Sequence, residues 1–198
     1  MIVFIQKLNS AIERKLLTRE DCRLSEEYVD NACRANRAPL QLVNLEGEAE
    51  IHGIESRIDW RPIPSWQFRN TVSYARGEGP NPSRSGPSRV PLSRIPPLNG
   101  TGEVTWRNRK KGLYAGGSVR WATQQDRLSV GDVADARIPI GGTPGYLVFD
   151  ARAGIRTRSK NAISFVFENL FDERYRTHGS GIYAAGRSVT INLEGALF

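Results

Sequence analysis

Apolar residues recur at every second position through most of this sequence, and that period commits the chain to β-strands with one apolar and one polar face. In residues 66–75, Trp66, Phe68, Val72 and Tyr74 fall on one face, and Gln67, Arg69, Thr71 and Ser73 on the other. In 113–123, Leu113, Ala115, Val119 and Trp121 oppose Tyr114, Ser118 and Arg120. In 146–156, Leu147, Phe149, Ala151, Ala153 and Ile155 oppose Asp150, Arg152 and Arg156. The pattern returns in 161–167, where Ile163, Phe165 and Phe167 share a face, and in 188–197, where Val189, Ile191, Leu193 and Leu197 oppose Thr190, Asn192 and Glu194. It is weaker in 48–60 and 101–107. The opening stretch 2–12, with Ile2, Phe4, Leu8 and Ile12 on one face, is expected to be a further strand. About eight strands result.

A soluble sandwich shows the same alternation, so the connections decide. Residues 61–65, 108–112 and 158–160 are short polar turns; 15–40, 77–93, 126–145 and 171–186 are long and rich in Gly, Pro and charge. The two lengths alternate along the chain, which puts every long loop at one end. Outer-membrane barrels have this asymmetry, with short periplasmic turns and long extracellular loops. Trp60, Trp66, Trp106, Trp121 and Tyr146 gather near strand ends, where such barrels carry aromatic girdles. The expected fold is all-β: an antiparallel, up-and-down transmembrane β-barrel segment.

Composition agrees once the period is known. The longest stretch free of Asp, Glu, Lys and Arg is 138–149, too short and too rich in Gly and Pro for a membrane helix of about 20 apolar residues. A mean hydropathy of −0.44 suits strands that are apolar at only half their positions. The net charge of +7 raises the prospect of nucleic acid. Yet Arg57, Arg69, Arg120, Arg152 and Arg156 are spread over the polar faces, which fits a lumen better than a binding stripe. The opening residues lack a basic n-region, a long apolar core and a cleavage site, so no secretory signal is read there. Cys22 and Cys33 stand in the first long stretch, either as free thiols or as a disulfide. An extracellular position for that loop favours the disulfide.

The tail carries the most specific pattern. Phe167-Glu168-Asn169-Leu170-Phe171-Asp172-Glu173-Arg174-Tyr175 is followed by a Gly-rich loop, then Gly186-Arg187 and a last strand ending in Phe198. It resembles the C-terminus of TonB-dependent outer-membrane receptors, where N-L-F-D-x-x-Y ends the penultimate strand and G-R opens the last. Residues 44–55, around Ala49-Glu50-Ile51-His52-Gly53-Ile54-Glu55, resemble that family's A-x-I-x-G-x-E strand, and 91–97 and 142–146 resemble further stretches of such receptors. The resemblance covers roughly residues 42–198. It implies that 1–198 is the C-terminal segment of a larger barrel, hence a partial barrel, with the plug domain and signal peptide absent. The implied partners are outer-membrane lipid, the barrel-assembly machinery that reads a terminal aromatic, a TonB-type energy transducer engaged through the missing N-terminal part, and a small nutrient ligand. The implied location is the outer membrane of a Gram-negative bacterium, with no enzymatic activity, cofactor or nucleic acid.

The motif residues have physical readings. Asn169 and Asp172 suit a turn closed by their own side chains, and Gly186 suits a tight re-entry to the sheet. Phe198 falls out of phase with Val189, Ile191 and Leu193, so a bulge near Glu194-Gly195 is expected. Arg127, Asp132, Asp135 and Arg137 read as a solvated charged cluster in a long loop, and His178 as a surface-loop residue. No catalytic, metal or ligand residue is assigned. Two other readings are a self-contained eight-stranded barrel, structural or adhesive, and a soluble basic β protein that binds nucleic acid.

Overall fold

The computed structural model describes residues 1–17, 40–83, 86–157 and 161–195. The alternating segments become β1 (Ile2–Asn9), β4 (Glu48–Ile63), β5 (Trp66–Pro80), β7 (Asn99–Asn108), β8 (Leu113–Ala122), β9 (Tyr146–Arg156), β10 (Ala162–Glu168) and β11 (Ser188–Glu194). These eight form one antiparallel path in the order β1-β4-β5-β7-β8-β9-β10-β11. Short β6 (Arg89–Pro91) pairs with the outer end of β5, and β2 (Ile12–Leu16) pairs with β3 (Leu40–Asn44) as a separate hairpin. A one-turn helix, α1 (Val130–Val133), sits in the β8–β9 connection.

Register keeps like with like, as the period requires. Trp60 pairs with Phe68, Trp66 with Trp106, and Phe165 with Ile191 on one face. Asp59 pairs with Arg69, Arg69 with Glu103, and Ser118 with Asp150 on the other. Among the described residues the apolar face has no second layer against it: Ile58 and Trp60 are both 57% exposed, and Ile191 58%. A protein in water would bury such a face. The buried apolar residues gather at the long-loop end instead, where Leu45, Ala49 and Leu92 pack with Leu8, Ala11, Ile51 and Ile95.

The expected strand 2–12 is corrected. Ser10 turns the chain at φ 58°, β1 stops at Asn9, and Ile12 starts the β2–β3 hairpin. Leu8 and Ile12 share parity in sequence but belong to different sheets. Phe4 and Leu8 also face the polar side, opposite Gly53 and Ala49, while Val3 and Ile5 continue the apolar face. The sheet is open: among the described residues β1 and β11 end the path at opposite edges, so the self-contained eight-stranded barrel is not formed.

Candidate functional site

The polar face carries a ladder of charges across the strands. Gln67 and Arg69 donate to Asp59, Arg69 Nε at 3.3 Å, and Arg69 also lies 3.6 Å from Glu103. Arg152 on β9 bonds Glu103 and, at 3.1 Å, Thr105 Oγ1. To do so it crosses β8 over Gly116, where an added Cβ would lie 3.4 Å from Arg152 Nε and 2.7 Å from the Val104 carbonyl. Higher on the wall, Asp150 accepts from Ser118 Oγ, from both Nε and a terminal nitrogen of Arg120, and from the backbone N–H of Asn169 at 2.9 Å. Four cations of this face, Arg69, Arg120, Arg152 and Arg156, are each paired with an acid.

The tail motif closes onto Asp150. Asn169 adopts φ 51°, a left-handed conformation that asparagine tolerates, and is 2% exposed. Its side-chain oxygen accepts from Glu173 N (2.8 Å), and its amide donates to the carbonyls of Glu173 (2.9 Å) and Ala185 (3.2 Å). Asp172, at φ 56°, accepts from Arg187 N at 2.8 Å; a Cβ on Gly186 would meet that same carboxylate oxygen at 2.8 Å. Glu168 accepts from Ser188 Oγ, and Leu170 N donates to the Phe149 carbonyl. Phe171 stands edge-on to Phe149 with centroids 5.5 Å apart. Tyr175 is buried against Tyr146, and its hydroxyl accepts from Arg120 at 3.1 Å. The motif thus ties the last loop to the wall. Cys22, Cys33 and Phe198 lie outside the described residues; up to Glu194 the register of β11 against β10 runs without a bulge.

Above the wall the long loops are knotted together. Ser93 donates its N–H (2.7 Å) and Oγ–H (2.6 Å) to Glu13 of β2. Its one hydroxyl proton is then committed, so the 2.7 Å contact to Ser129 has Ser129 as donor. Ser129 caps α1 by accepting from Asp132 N, and Asp132 accepts in return from Ser129 N. Asp132 also accepts from Arg94 N; Arg94 sits at φ 64°, and its guanidinium pairs with Asp135 and donates to the Gly179 carbonyl. Arg137 donates to Asp135 from N (2.9 Å), Nε (3.0 Å) and a terminal nitrogen (2.8 Å). These bonds from Arg137, with the Arg94 charge, hold the Asp135 carboxyl well below the usual carboxylate range.

The expectation of a solvated cluster is corrected here. Asp132 is 1% exposed, both acids have their oxygens occupied by donors, and Arg127 is elsewhere, paired with Glu78 at 2.6 Å. The sequence reading missed Glu13, Ser93 and Arg94; only the Ser129-x-x-Asp132 spacing, a capping box, was there to be found. His178 Nδ1 lies 3.0 Å from Thr143 Oγ1, and its Nε2 is buried with no hydrogen-bond partner among the described residues. Burial lowers its pKa, offset in part by Asp132. On the exposed rim Arg174 and Arg176 flank the Tyr183 ring at 4.1 and 4.3 Å.

An open antiparallel wall with one lipid-ready face, one charged face and all its long loops at one end defines a segment of a transmembrane β-barrel. A family model described as TonB dependent receptor-like, beta-barrel, matches residues 23–170, and the chain belongs to the TonB-dependent receptor family. The pesticin receptor of Yersinia pestis is 29% identical over 167 residues, 77% of this chain and 23% of that protein. The solved copper transporter OprC superposes with a TM-score of 0.61 at 25% identity, over 77% of this chain and 23% of its own. The FrpB iron transporter from Neisseria meningitidis (F3-3 variant) superposes at 0.64 over 96% of this chain and 26% of its own; at 16% identity it shows the fold alone. The chain spans about a quarter of the length of these relatives. The family is one of receptors and transporters, not enzymes.

Proposed function

We propose that residues 1–198 form the C-terminal wall and loop crown of an outer-membrane receptor that takes up a scarce nutrient with energy from a TonB-type transducer. The observation that carries this reading is the sheet open at both edges. Unpaired strand edges are not tolerated in lipid, so further strands must complete the barrel. By family resemblance a plug fills its lumen and engages the transducer, and the barrel-assembly machinery inserts the wall. The ligand class is an iron chelate, a cobalamin, a metal complex or a glycan. The likeness to a copper transporter favours a metal complex. The loop crown meets the ligand first, and the charged face supports the plug.

The test is to place the chain behind an export signal in a Gram-negative host, alone and together with the N-terminal barrel and plug of a relative. Outer-membrane recovery and heat-modifiable gel mobility that require the added part support the reading. A β-rich monomer soluble in the periplasm without detergent overturns it.

A further inference from the structure

The short connections and the long ones differ in sign as well as in length. Residues 61–65, 108–112 and 158–160 carry Arg61, Arg109, Lys110, Lys111, Arg158 and Lys160, and no Asp or Glu. The four long connections mix acids with bases; 171–186, for instance, holds Asp172 and Glu173 beside Arg174 and Arg176. Arg158 and Lys160 lie outside the described residues, whereas Arg61, Arg109, Lys110 and Lys111 are all exposed. The β7–β8 turn is the densest. Asn108 Oδ1 accepts from Lys111 N at 3.1 Å, and Gly112 turns at φ 68°, where a Cβ would strike the Arg156 carbonyl. The turn thus presents Arg109, Lys110 and Lys111 in succession, with no ion pair among the described residues.

These cations sit at a defined depth. On the apolar face Trp66 pairs with Trp106, and the Trp60 and Phe68 rings are 5.3 Å apart, so three indoles gather toward the short-turn end. Indole rings rest at the boundary between hydrocarbon and headgroups. From Trp106 β7 runs two residues further, to Asn108. That is about 7 Å of strand, or about 5 Å of depth at a tilt of about 40°. A headgroup layer is about 5–8 Å thick. The tip of the turn is therefore level with lipid phosphates.

We infer that the short-turn rim is a binding surface for anionic phospholipid, with Arg109, Lys110 and Lys111 holding headgroup phosphates. Arg61, whose partner Asp59 is shared with Arg69, extends the contact along the rim. The inference rests on the barrel reading above, which sets this rim in the periplasmic leaflet. Charge complementarity selects the occupant. Cations that no acid of the wall neutralises gain from a phosphate at their own depth, and each Lys or Arg near an anionic membrane surface adds to the attraction. A zwitterionic headgroup brings its own cation beside the phosphate, so the surface favours lipids of net negative charge. The long-loop end, where both signs are mixed, has no such preference.

The experiment uses this chain assembled with the N-terminal barrel and plug of a relative, in vesicles of phosphatidylcholine alone or mixed with phosphatidylglycerol. Heat-modifiable mobility reports assembly, and the temperature at which it is lost reports stabilisation by bound lipid. Phosphatidylglycerol is expected to raise that temperature by about 5 °C in the parent and by about 1 °C in the triple variant Arg109→Gln, Lys110→Gln, Lys111→Gln. High salt is expected to erase the difference. The turn is closed by Asn108 and Gly112, which the variant keeps, so its assembly in phosphatidylcholine should match the parent's. Arg174→Gln with Arg176→Gln, at the opposite rim, should respond to phosphatidylglycerol as the parent does. Equal rises in the parent and the triple variant overturn the inference. An equal loss in the opposite-rim variant overturns it too and assigns the response to net charge. A parent indifferent to phosphatidylglycerol leaves water or an acidic protein face as the occupant and also overturns it. A parent that never gains the mobility shift defeats the barrel reading itself, and this inference with it.

Discussion

Arg152 of β9 bonds Glu103 of β7 by passing over Gly116 of the strand between them. The bridge spans two strand intervals because a residue without a side chain lies under it. Gly116→Leu is expected to push the guanidinium off this path and lower stability by about 2 kcal/mol, read as an earlier loss of heat-modifiable mobility. Gly117→Ala serves as the control. It points to the other face, where its Cβ would meet its nearest neighbour, the Asp150 carbonyl, at 3.5 Å, and it is expected to be neutral.

Asn169 combines a left-handed backbone with three side-chain hydrogen bonds. Asn169→Ala removes both and is expected to cost about 3 kcal/mol. Asn169→Gly keeps the backbone freedom and loses only the bonds, so it should fall between Ala and the parent. If Gly is no better than Ala in thermal melting, the positive φ carries no weight.

Asp135 makes the loop knot sensitive to acid. Its carboxyl titrates below its ordinary value in the folded chain. Its contribution is therefore complete above the unfolded value of about 4 and is lost as pH falls below it. Amide hydrogen exchange across 129–138 should quicken, after correction for intrinsic rates, between about pH 5 and about pH 3. Asp135→Asn should be unprotected throughout and show no such step.

His178 acts in a higher window. Burial favours its neutral form, so the folded value lies below 6.5. The contribution is complete above that pH and declines as the unfolded ring takes up a proton on acidification. His178→Gln is expected to remove the change in exchange of 143–145 and 177–180 between about pH 7 and about pH 5. A mutant that keeps the step places its origin elsewhere.

The wall was legible because a strand period leaves its mark on every residue: Trp66, Phe68 and Tyr74 announce a face without any partner in view. The tail was legible as a pattern, but its chemistry was not. Nothing local says that Asn169 reaches Ala185 or that Asp150 gathers Arg120 and Ser118. The break at Ser10 was invisible because parity continues across a turn, with Leu8 and Ile12 in step by coincidence. The loop knot was hidden for a different reason. Arg94 meets Asp135 from 41 residues away and Glu13 meets Ser93 from 80, distances over which no periodicity speaks.

Glu13, Ser93, Ser129 and Arg94 bind segments from four connections into one crown, and this constrains inheritance as well as shape. Surface loops ordinarily drift independently, each accepting insertions without consulting the others. Here a lengthened β8–β9 connection displaces Asp132 and thereby releases Arg94 and the Gly179 turn. New specificities must then arise by exchanging the crown as a block or by changing tips that lie outside the knot. Chimaeras that swap single loops between relatives should fail where whole-crown transplants succeed.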